Sequence, residues 1–199
     1  MPNFGYAGEI LKVDLSNRKT EKIPSKEYTD RFIGGHGVSS KLYWDLAPAN
    51  VKYNDPANAF ICAVGPITGF SGFAGSRWKI VSKTPFRHPA SFCYANLGEK
   101  WGLSLKACGY DAVAVQGKAD KLVYLYLHDG KAEFKDAAHL KGKTVFETID
   151  TLKAELGEGA SVLANSPAGE NDVTFSTVGA EGGAKSIASS FERKYRVES

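Results

Sequence analysis

The order of apolar and polar positions along the chain predicts many strands with a few helices between them. Short apolar runs bounded by turn residues, and runs that alternate with period two, are typical of strands. Asp129-Gly130 between two such runs predicts a tight hairpin turn. The predicted strands are a hairpin over 6–23, a buried strand over 59–64, and further strands over 77–83, 91–95, 111–116, 122–127, 132–135, 161–164 and 173–178.

Helix-start and helix-stop residues predict four helices between these strands. Thr144 followed by Glu147 forms a capping-box signature, and Gly157 is a stop signal at the end of the same apolar stripe. Asn96 followed by Glu99 has the same signature, so we expect Asn96 to cap a helix. The predicted helices cover residues 25–33, 38–46, 96–107 and 144–156.

The fold class that follows is α+β, with a largely antiparallel sheet and three to four helices. The strands are mostly joined by hairpins, whereas a parallel sheet would need a regular strand–helix–strand alternation. Internal repeats and linker-like segments are not evident in the sequence. We therefore expect residues 1–199 to form a single domain.

Composition narrows the classes of partner. The net charge is +3 with scattered Lys and Arg, which is not the basic stripe typical of nucleic-acid binding. No apolar run reaches membrane-spanning length, and the first residues lack the regions of a signal peptide. The sequence therefore predicts a cytoplasmic protein that binds neither nucleic acid nor membrane.

The cysteines and histidines show no metal-binding spacing. Cys62, Cys93 and Cys108 lie far apart in apolar surroundings and form no CxxC, so we expect buried structural thiols and no iron–sulfur cluster in this chain. The four histidines are equally scattered. Dinucleotide, phosphate-loop and serine-nucleophile motifs are also absent from the sequence, and we assign no catalytic residue.

Unusual residues concentrate between Gly65 and Gly109. Four glycines precede the strand that begins at Arg77, and Asn96 and Gly98 stand before the next predicted helix. Glycine lets a ligand approach the backbone, and a helix N-terminus favours an anion. One arginine between two such elements predicts a site for a phosphate-bearing ligand. The same glycines could instead serve tight turns only, with Arg77 a solvated strand residue and Asn96 only a cap.

Taken in order, several motifs resemble the N-terminal domain of the aldehyde ferredoxin oxidoreductases, which are tungsten or molybdenum bis-pterin enzymes. The resemblance covers residues 6 to about 182, and the tail over 183–199 diverges. The segments that carry it are Tyr6–Leu15, Phe32–Gly37, Asn58–Gly69, Gly75–Arg77, Ser82–Pro85, Ala95–Gly98, Leu105–Ala112 and Pro167–Asn171.

The resemblance implies a saddle-like sheet that forms one face of a metallopterin site. It implies that Arg77, Asn96 and Gly98 contact the pterin and its phosphate. It also implies a magnesium ion that links the two pterin phosphates, with Asn96 beside the metal. Arginine suits this role because its planar guanidinium gives a bidentate, permanently charged contact to phosphate.

The chain also departs from the family pattern. Complete members are about three times longer by this resemblance, and the missing part carries the cluster cysteines, further pterin ligands and the substrate cavity. The family's arginine-rich segment for the second pterin corresponds here to residues 182–188, in which Lys185 supplies the one positive charge. Lysine is a point charge and not a planar fork.

Two functional hypotheses follow. In the first, the chain is a metallopterin-binding subunit or domain of an aldehyde ferredoxin oxidoreductase-like enzyme. A larger cysteine-bearing catalytic chain, or self-association, completes the site, and electrons reach ferredoxin indirectly. In the second, the chain is a non-catalytic scaffold or assembly module that keeps the fold and has lost the cofactor.

Overall fold

The chain folds into strands and helices in the mixed order that the sequence predicts. The computed structural model describes residues 4–70, 72, 75–85, 88–171, 173–174 and 176–180, with the backbone alone of residues 185–186. The strands are β1 (Glu9–Asp14), β2 (Lys19–Pro24), β3 (Phe60–Val64), β4 (Trp78–Thr84), β5 (Ser91–Leu97), β6 (Tyr110–Gln116), β7 (Val123–His128), β8 (Lys131–Asp136), β9 (Leu163–Ala164), β10 (Val178–Ala180) and β11 (Lys185–Ser186). The helices are α1 (Lys26–Phe32), α2 (Gly35–Leu46), α3 (Lys100–Ala107), α4 (Val145–Leu156) and α5 (Pro167–Glu170).

A six-stranded sheet organises the molecule. Its strand order is β2-β1-β6-β3-β4-β5, and every neighbouring pair is antiparallel except β1 with β6. A two-stranded sheet joins β7 to β8, and a three-stranded sheet has the order β11-β10-β9. The predicted α+β class and the largely antiparallel sheet are therefore confirmed. Within the described residues, no helix has the length and apolar content that a bilayer crossing requires.

Strand alternation divides the core between the two faces of the six-stranded sheet. One face carries core cluster 1, which includes Phe60, Trp78 and Val113 and packs against the β7–β8 hairpin and α3. The other face carries core cluster 2, which includes Ile61 and Val81 and packs against α1 and α2. A separate core cluster 3 joins α4 to β9 and to a 3₁₀ turn at Ala138–Leu140.

Local signals predict the helices with mixed success. The capping box at α4 is present, because the Thr144 hydroxyl accepts from the Glu147 N–H and the Glu147 carboxylate accepts from the Thr144 N–H. The predicted cap at Asn96 is wrong. Asn96 lies inside β5, and α3 begins later at Lys100 with Glu99 before it and no side-chain cap. Ser25 precedes α1 as predicted but forms no capping hydrogen bond.

Other boundaries also differ from the predictions. The helix α2 begins at Gly35, three residues earlier than predicted, so the glycine-rich break is its first turn. The segment 166–171, predicted as a loop, contains the one-turn helix α5, which makes five α-helices among the described residues. Of the strand predicted over 173–178, residue 175 lies outside the described residues, 173–174 and 176–177 are not in a strand, and β10 covers Val178–Ala180.

The three cysteines are free thiols, as expected from their context. Cys62 is buried in core cluster 1, whereas Cys93 and Cys108 are half-buried. Burial raises the pKa of all three thiols above the ordinary value, so none is primed as a thiolate nucleophile.

Candidate functional site

Three strand ends meet at one edge of the six-stranded sheet. Because β4 is antiparallel to both β3 and β5, the start of β4 lies beside the end of β3 and the end of β5. The glycine-rich segment that follows Gly65 leaves β3 at this edge and returns to Arg77 at the start of β4. The predicted site residues Arg77, Asn96 and Gly98 are thus brought to one edge by strand pairing.

Trp78 fixes the backbone next to both Arg77 and Gly98. Trp78 pairs with Leu97, and continuing that register by one residue places Arg77 opposite Gly98. The Trp78 Nε1–H donates to the Gly98 carbonyl at 2.7 Å. Trp78 is buried while Arg77 is exposed, so the buried ring fixes the backbone on which the exposed guanidinium is carried.

Asn96 lies on β5 directly opposite Lys79 of β4. Opposite residues in an antiparallel pair project to the same face of the sheet, and here that is the face covered by α2. Asn96 is exposed, and its side-chain amide makes no hydrogen bond to any described residue. An amide oxygen in this position can serve as one of the oxygen ligands that Mg²⁺ prefers, with phosphate oxygens as the others.

Lys79 is a site residue that the sequence did not identify. A Cβ built on Gly35 would lie 3.7 Å from Lys79 Cγ, so the lysine stem passes over the first residue of α2. The Lys79 Nζ lies 5.2 Å from the centroid of the Tyr94 ring. The ring of His36, also in the first turn of α2, contacts Tyr94 with centroids 4.5 Å apart.

This edge of the sheet carries positive charge that no described carboxylate neutralises. Neither the Arg77 nor the Lys79 side chain forms an ion pair with a carboxylate in the part of the chain that the structure describes. The first turn of α2 carries no acidic residue and no side-chain cap, so the positive end of its dipole lies close to Lys79. Burial, followed by the charge of Lys79, lowers the pKa of His36 below its ordinary value. This arrangement favours an anion.

The glycine-rich segment is fixed to the body of the protein where it leaves β3. The Lys106 Nζ of α3 donates to the carbonyls of Gly65 and Pro66 at 2.7 and 3.0 Å. The Gly65 N–H donates to Thr68 Oγ1 at 3.1 Å. At Gly75 an added Cβ would lie 2.3 Å from the Ile67 carbonyl oxygen, so this position accepts only glycine without movement of the backbone.

Gly102 supports the site indirectly, through the packing of α3. It lies inside α3, and an added Cβ would come within 2.8 Å of the Trp78 ring. Gly102 therefore lets α3 approach the buried indole closely.

The segment around Lys185, which corresponds to the family's segment for the second pterin, is described through its backbone alone. Lys185 begins β11, which pairs antiparallel with β10. Cα atoms of β11 lie within 8 Å of Cα atoms of β5, the strand that carries Asn96. The fold therefore brings the Lys185 segment to the strand that also carries Asn96. Among the described residues, no cluster of three or more His, Cys, Asp or Glu side chains could hold a metal ion by itself.

Comparison with known proteins identifies similar sequences and folds. Residues 10–193 match the family described as the aldehyde ferredoxin oxidoreductase, N-terminal domain. A tungsten-containing aldehyde ferredoxin oxidoreductase of Pyrococcus abyssi (strain GE5 / Orsay) is 38% identical over 179 residues, which are 88% of this chain and 29% of that protein. The aliphatic sulfonate oxidoreductase, WOR-like subunit, of Pyrococcus furiosus is 32% identical over 159 residues, which are 78% of this chain and 25% of that protein.

A solved structure has the same fold over almost the whole of this chain. A chain of the active site complex BamBC of benzoyl coenzyme A reductase, in complex with 1,5-dienoyl-CoA, matches with a TM-score of 0.89 and 30% identity. The match covers 98% of this chain and 30% of that one. This chain therefore spans about three tenths of the length of the relatives that it matches.

Proposed function

Since the chain belongs to the aldehyde ferredoxin oxidoreductase N-terminal domain family, we propose that it is the metallopterin-binding part of an oxidoreductase of that kind. The cofactor is a tungsten or molybdenum bis-pterin with a bridging magnesium ion. We also propose that residues 1–199 form one domain, because core cluster 1 extends from the six-stranded sheet to the β7–β8 hairpin and to Val178 of β10.

The observation that carries this proposal is the unpaired positive charge at the sheet edge. Arg77 and Lys79 have no carboxylate partner in the described chain, and Lys79 lies against the N-terminal turn of α2. Like charges so placed repel one another in the absence of an anion. A pterin phosphate would supply the opposite charge and would accept hydrogen bonds from Arg77, and Asn96 would offer its amide oxygen to the magnesium ion.

In this function the residues of the chain bind and orient and do not transfer protons. The metallopterin, when bound, supplies two-electron oxidation or reduction at its metal. Arg77 and Lys79 neutralise phosphate, Gly98 permits close approach of the ligand to the backbone, and Lys185 adds one charge from the β11 side. The iron–sulfur cluster and the substrate site lie on a larger cysteine-bearing chain or are completed by self-association. Ferredoxin receives electrons from that cluster, in the cytoplasm.

The test is anaerobic purification of the chain with its large partner, followed by metal analysis and pterin fluorescence. We expect tungsten or molybdenum and pterin in the complex. Arg77→Ala and Lys79→Met should each lower cofactor content at least about tenfold, because each removes a phosphate contact. Lys26→Met is the matched control, since Lys26 pairs with Asp30 on α1 and should keep full content. A complex that contains neither metal nor pterin contradicts the proposal.

The alternative is a scaffold or assembly module that keeps the fold without the cofactor. The observation in its favour is the segment 182–188, in which Lys185 stands where the family has arginines. In that case Arg77→Ala leaves both partner binding and redox activity of the complex unchanged. If the Arg77→Ala chain loses the cofactor but still binds its partner, the metallopterin role is supported.

A further inference from the structure

A cavity lies between the six-stranded sheet and the layer that covers it. Its volume is about 490 Å³, and it is partly open to solvent. The sheet side is lined by residues such as Phe60 and Val113, and the covering side by residues such as Leu125 of β7 and Leu152 of α4. Arg77, Lys79, Asn96 and Gly98 are not among the described residues that line it. The cavity is therefore separate from the proposed metallopterin site.

The cavity lies where core cluster 1 and core cluster 3 do not meet. Phe60 and Val113 belong to core cluster 1, whereas Leu152 belongs to core cluster 3. Protein interiors are close-packed, with few voids larger than a water molecule, which occupies about 30 Å³ of the liquid. A gap of this size lies within the range of small-molecule sites, about 300–1,000 Å³. Its walls are mainly apolar, which favours an apolar occupant.

The cavity also contains polar groups without partners. Thr148 of α4 is only 8% exposed, and its hydroxyl makes no hydrogen bond to any residue that the structure describes. Asn165 also lines the cavity, and its side chain makes no hydrogen bond to any described residue. Ser104 and Ser161 satisfy each other through a hydrogen bond of 2.7 Å. The Thr148 hydroxyl is therefore free to hydrogen-bond to an occupant, which favours a ligand with one polar group.

The charge of the lining restricts the class of occupant. Among the described lining residues, none is Lys, Arg or His, and Glu170 is the one carboxylate. The Glu170 oxygens already accept from the Gly142 N–H. We propose that the cavity binds an uncharged, largely apolar small molecule, with an alkyl or aryl body and one hydrogen-bonding group that contacts Thr148 and Asn165. This site is additional to the proposed metallopterin function.

The first experiment titrates the purified chain with N-phenyl-1-naphthylamine, an uncharged fluorescent probe. We expect saturable binding with one site per chain. Leu125→Trp places a larger side chain in the cavity and should weaken binding at least about tenfold. Phe134→Trp is the control, because Phe134 lies directly opposite Leu125 in the hairpin but does not line the cavity. Absence of saturable binding, or equal loss in both variants with intact far-UV circular dichroism, overturns the proposal.

Two further measurements do not depend on Leu125→Trp folding. In ¹²⁹Xe NMR, xenon should show a concentration-dependent shift with the unmodified chain that saturating probe abolishes. Thr148→Val should weaken binding of benzyl alcohol about fivefold and leave toluene binding unchanged, because only the alcohol uses the hydroxyl. A xenon shift that the probe does not affect, or equal effects on the two ligands, contradicts the assignment.

Discussion

Gly102 shows how a single residue determines the distance between a helix and the sheet. An added Cβ would lie 2.8 Å from the buried Trp78 ring, which also bonds to Gly98. We expect Gly102→Ala to lower the free energy of unfolding by about 1–3 kcal/mol, as overpacking does. The measurement is urea unfolding. Gly98→Ala is the control, because its Cβ would meet only Ser76 Oγ at 3.9 Å and stability should not change. Equal stability of the Gly102→Ala chain and the unmodified chain would show that α3 can shift freely.

His36 reports on the charge of the neighbouring site. Burial and Lys79 lower its pKa below 6.5, so the unfolded chain binds this proton at a higher pH than the folded chain does. Stability should therefore fall as the pH drops from above 6.5 through the lowered pKa. We expect Lys79→Met to raise the His36 pKa in NMR titrations. Pyrophosphate should raise the His36 pKa of the unmodified chain, and Lys26→Met should leave it unchanged. A His36 pKa that responds to neither Lys79→Met nor pyrophosphate would place the anion elsewhere.

Single residues also show where sequence reasoning stops. Asn96 with Glu99 has the spacing of a capping box, but pairing with Lys79 keeps Asn96 in a strand. Local spacing cannot decide between the two, because the pairing partner is 17 positions earlier in the chain (96 minus 79). Lys79 likewise contacts two other segments of the chain, which are Tyr94 and the first turn of α2. In the sequence, the glycine-rich segment Gly34–Gly37 was the only local feature that pointed to this part of the site.

At the scale of elements, the junction between α1 and α2 carries backbone strain. Ile33 has φ of 64° and ψ of −64°, and the Gly34 N–H donates to the Phe32 carbonyl across it at 2.7 Å. This is a γ-turn with positive φ, which is rare and strained, and strain is greater for a β-branched residue. The Ile33 side chain is 67% exposed, so little packing offsets the strain. Strain of this kind clusters at functional sites, and this turn leads directly into the first turn of α2 beside Lys79.

We expect Ile33→Gly to raise the free energy of unfolding by about 1 kcal/mol, because glycine adopts positive φ without a Cβ clash. Chemical denaturation measures the change. Ile33→Val keeps the β-branch and should give no gain. A loss of stability in Ile33→Gly would mean that the exposed side chain makes stabilising contacts after all.

Elements with strong local signals could be predicted, and those that depend on pairing could not. The β1–β2 and β7–β8 hairpins and α4 have turn residues, alternation or a capping box within a few positions. The parallel pairing of β1 with β6 joins residues about a hundred positions apart, and nothing local indicates it. The strand predicted over 173–178 illustrates the same limit, since β10 forms where β9 and β11 can pair with it.

At the scale of the whole molecule, the six-stranded sheet is covered on both faces, but unequally. On the α2 face, core cluster 2 packs directly on the sheet. On the other face, the cavity separates much of core cluster 3 from core cluster 1. The unit built on α4 is therefore joined to the sheet by fewer apolar contacts than α2 is. Regions with fewer buried apolar contacts open with a lower free energy than the global unfolding.

This difference predicts the order of opening. In native-state hydrogen exchange, amides of α4 should exchange by sub-global opening, faster than amides of β3 and β6, which lie at the centre of the sheet. Amides of α2, a helix of the same length, are the comparison and should resemble β3. An uncharged apolar molecule in the cavity would contact both core cluster 1 and core cluster 3. Saturating N-phenyl-1-naphthylamine should therefore slow hydrogen exchange in α4 and leave exchange in α2 unchanged. Equal protection of α4 and β3 without the probe would show that the α4 unit and the sheet open only together.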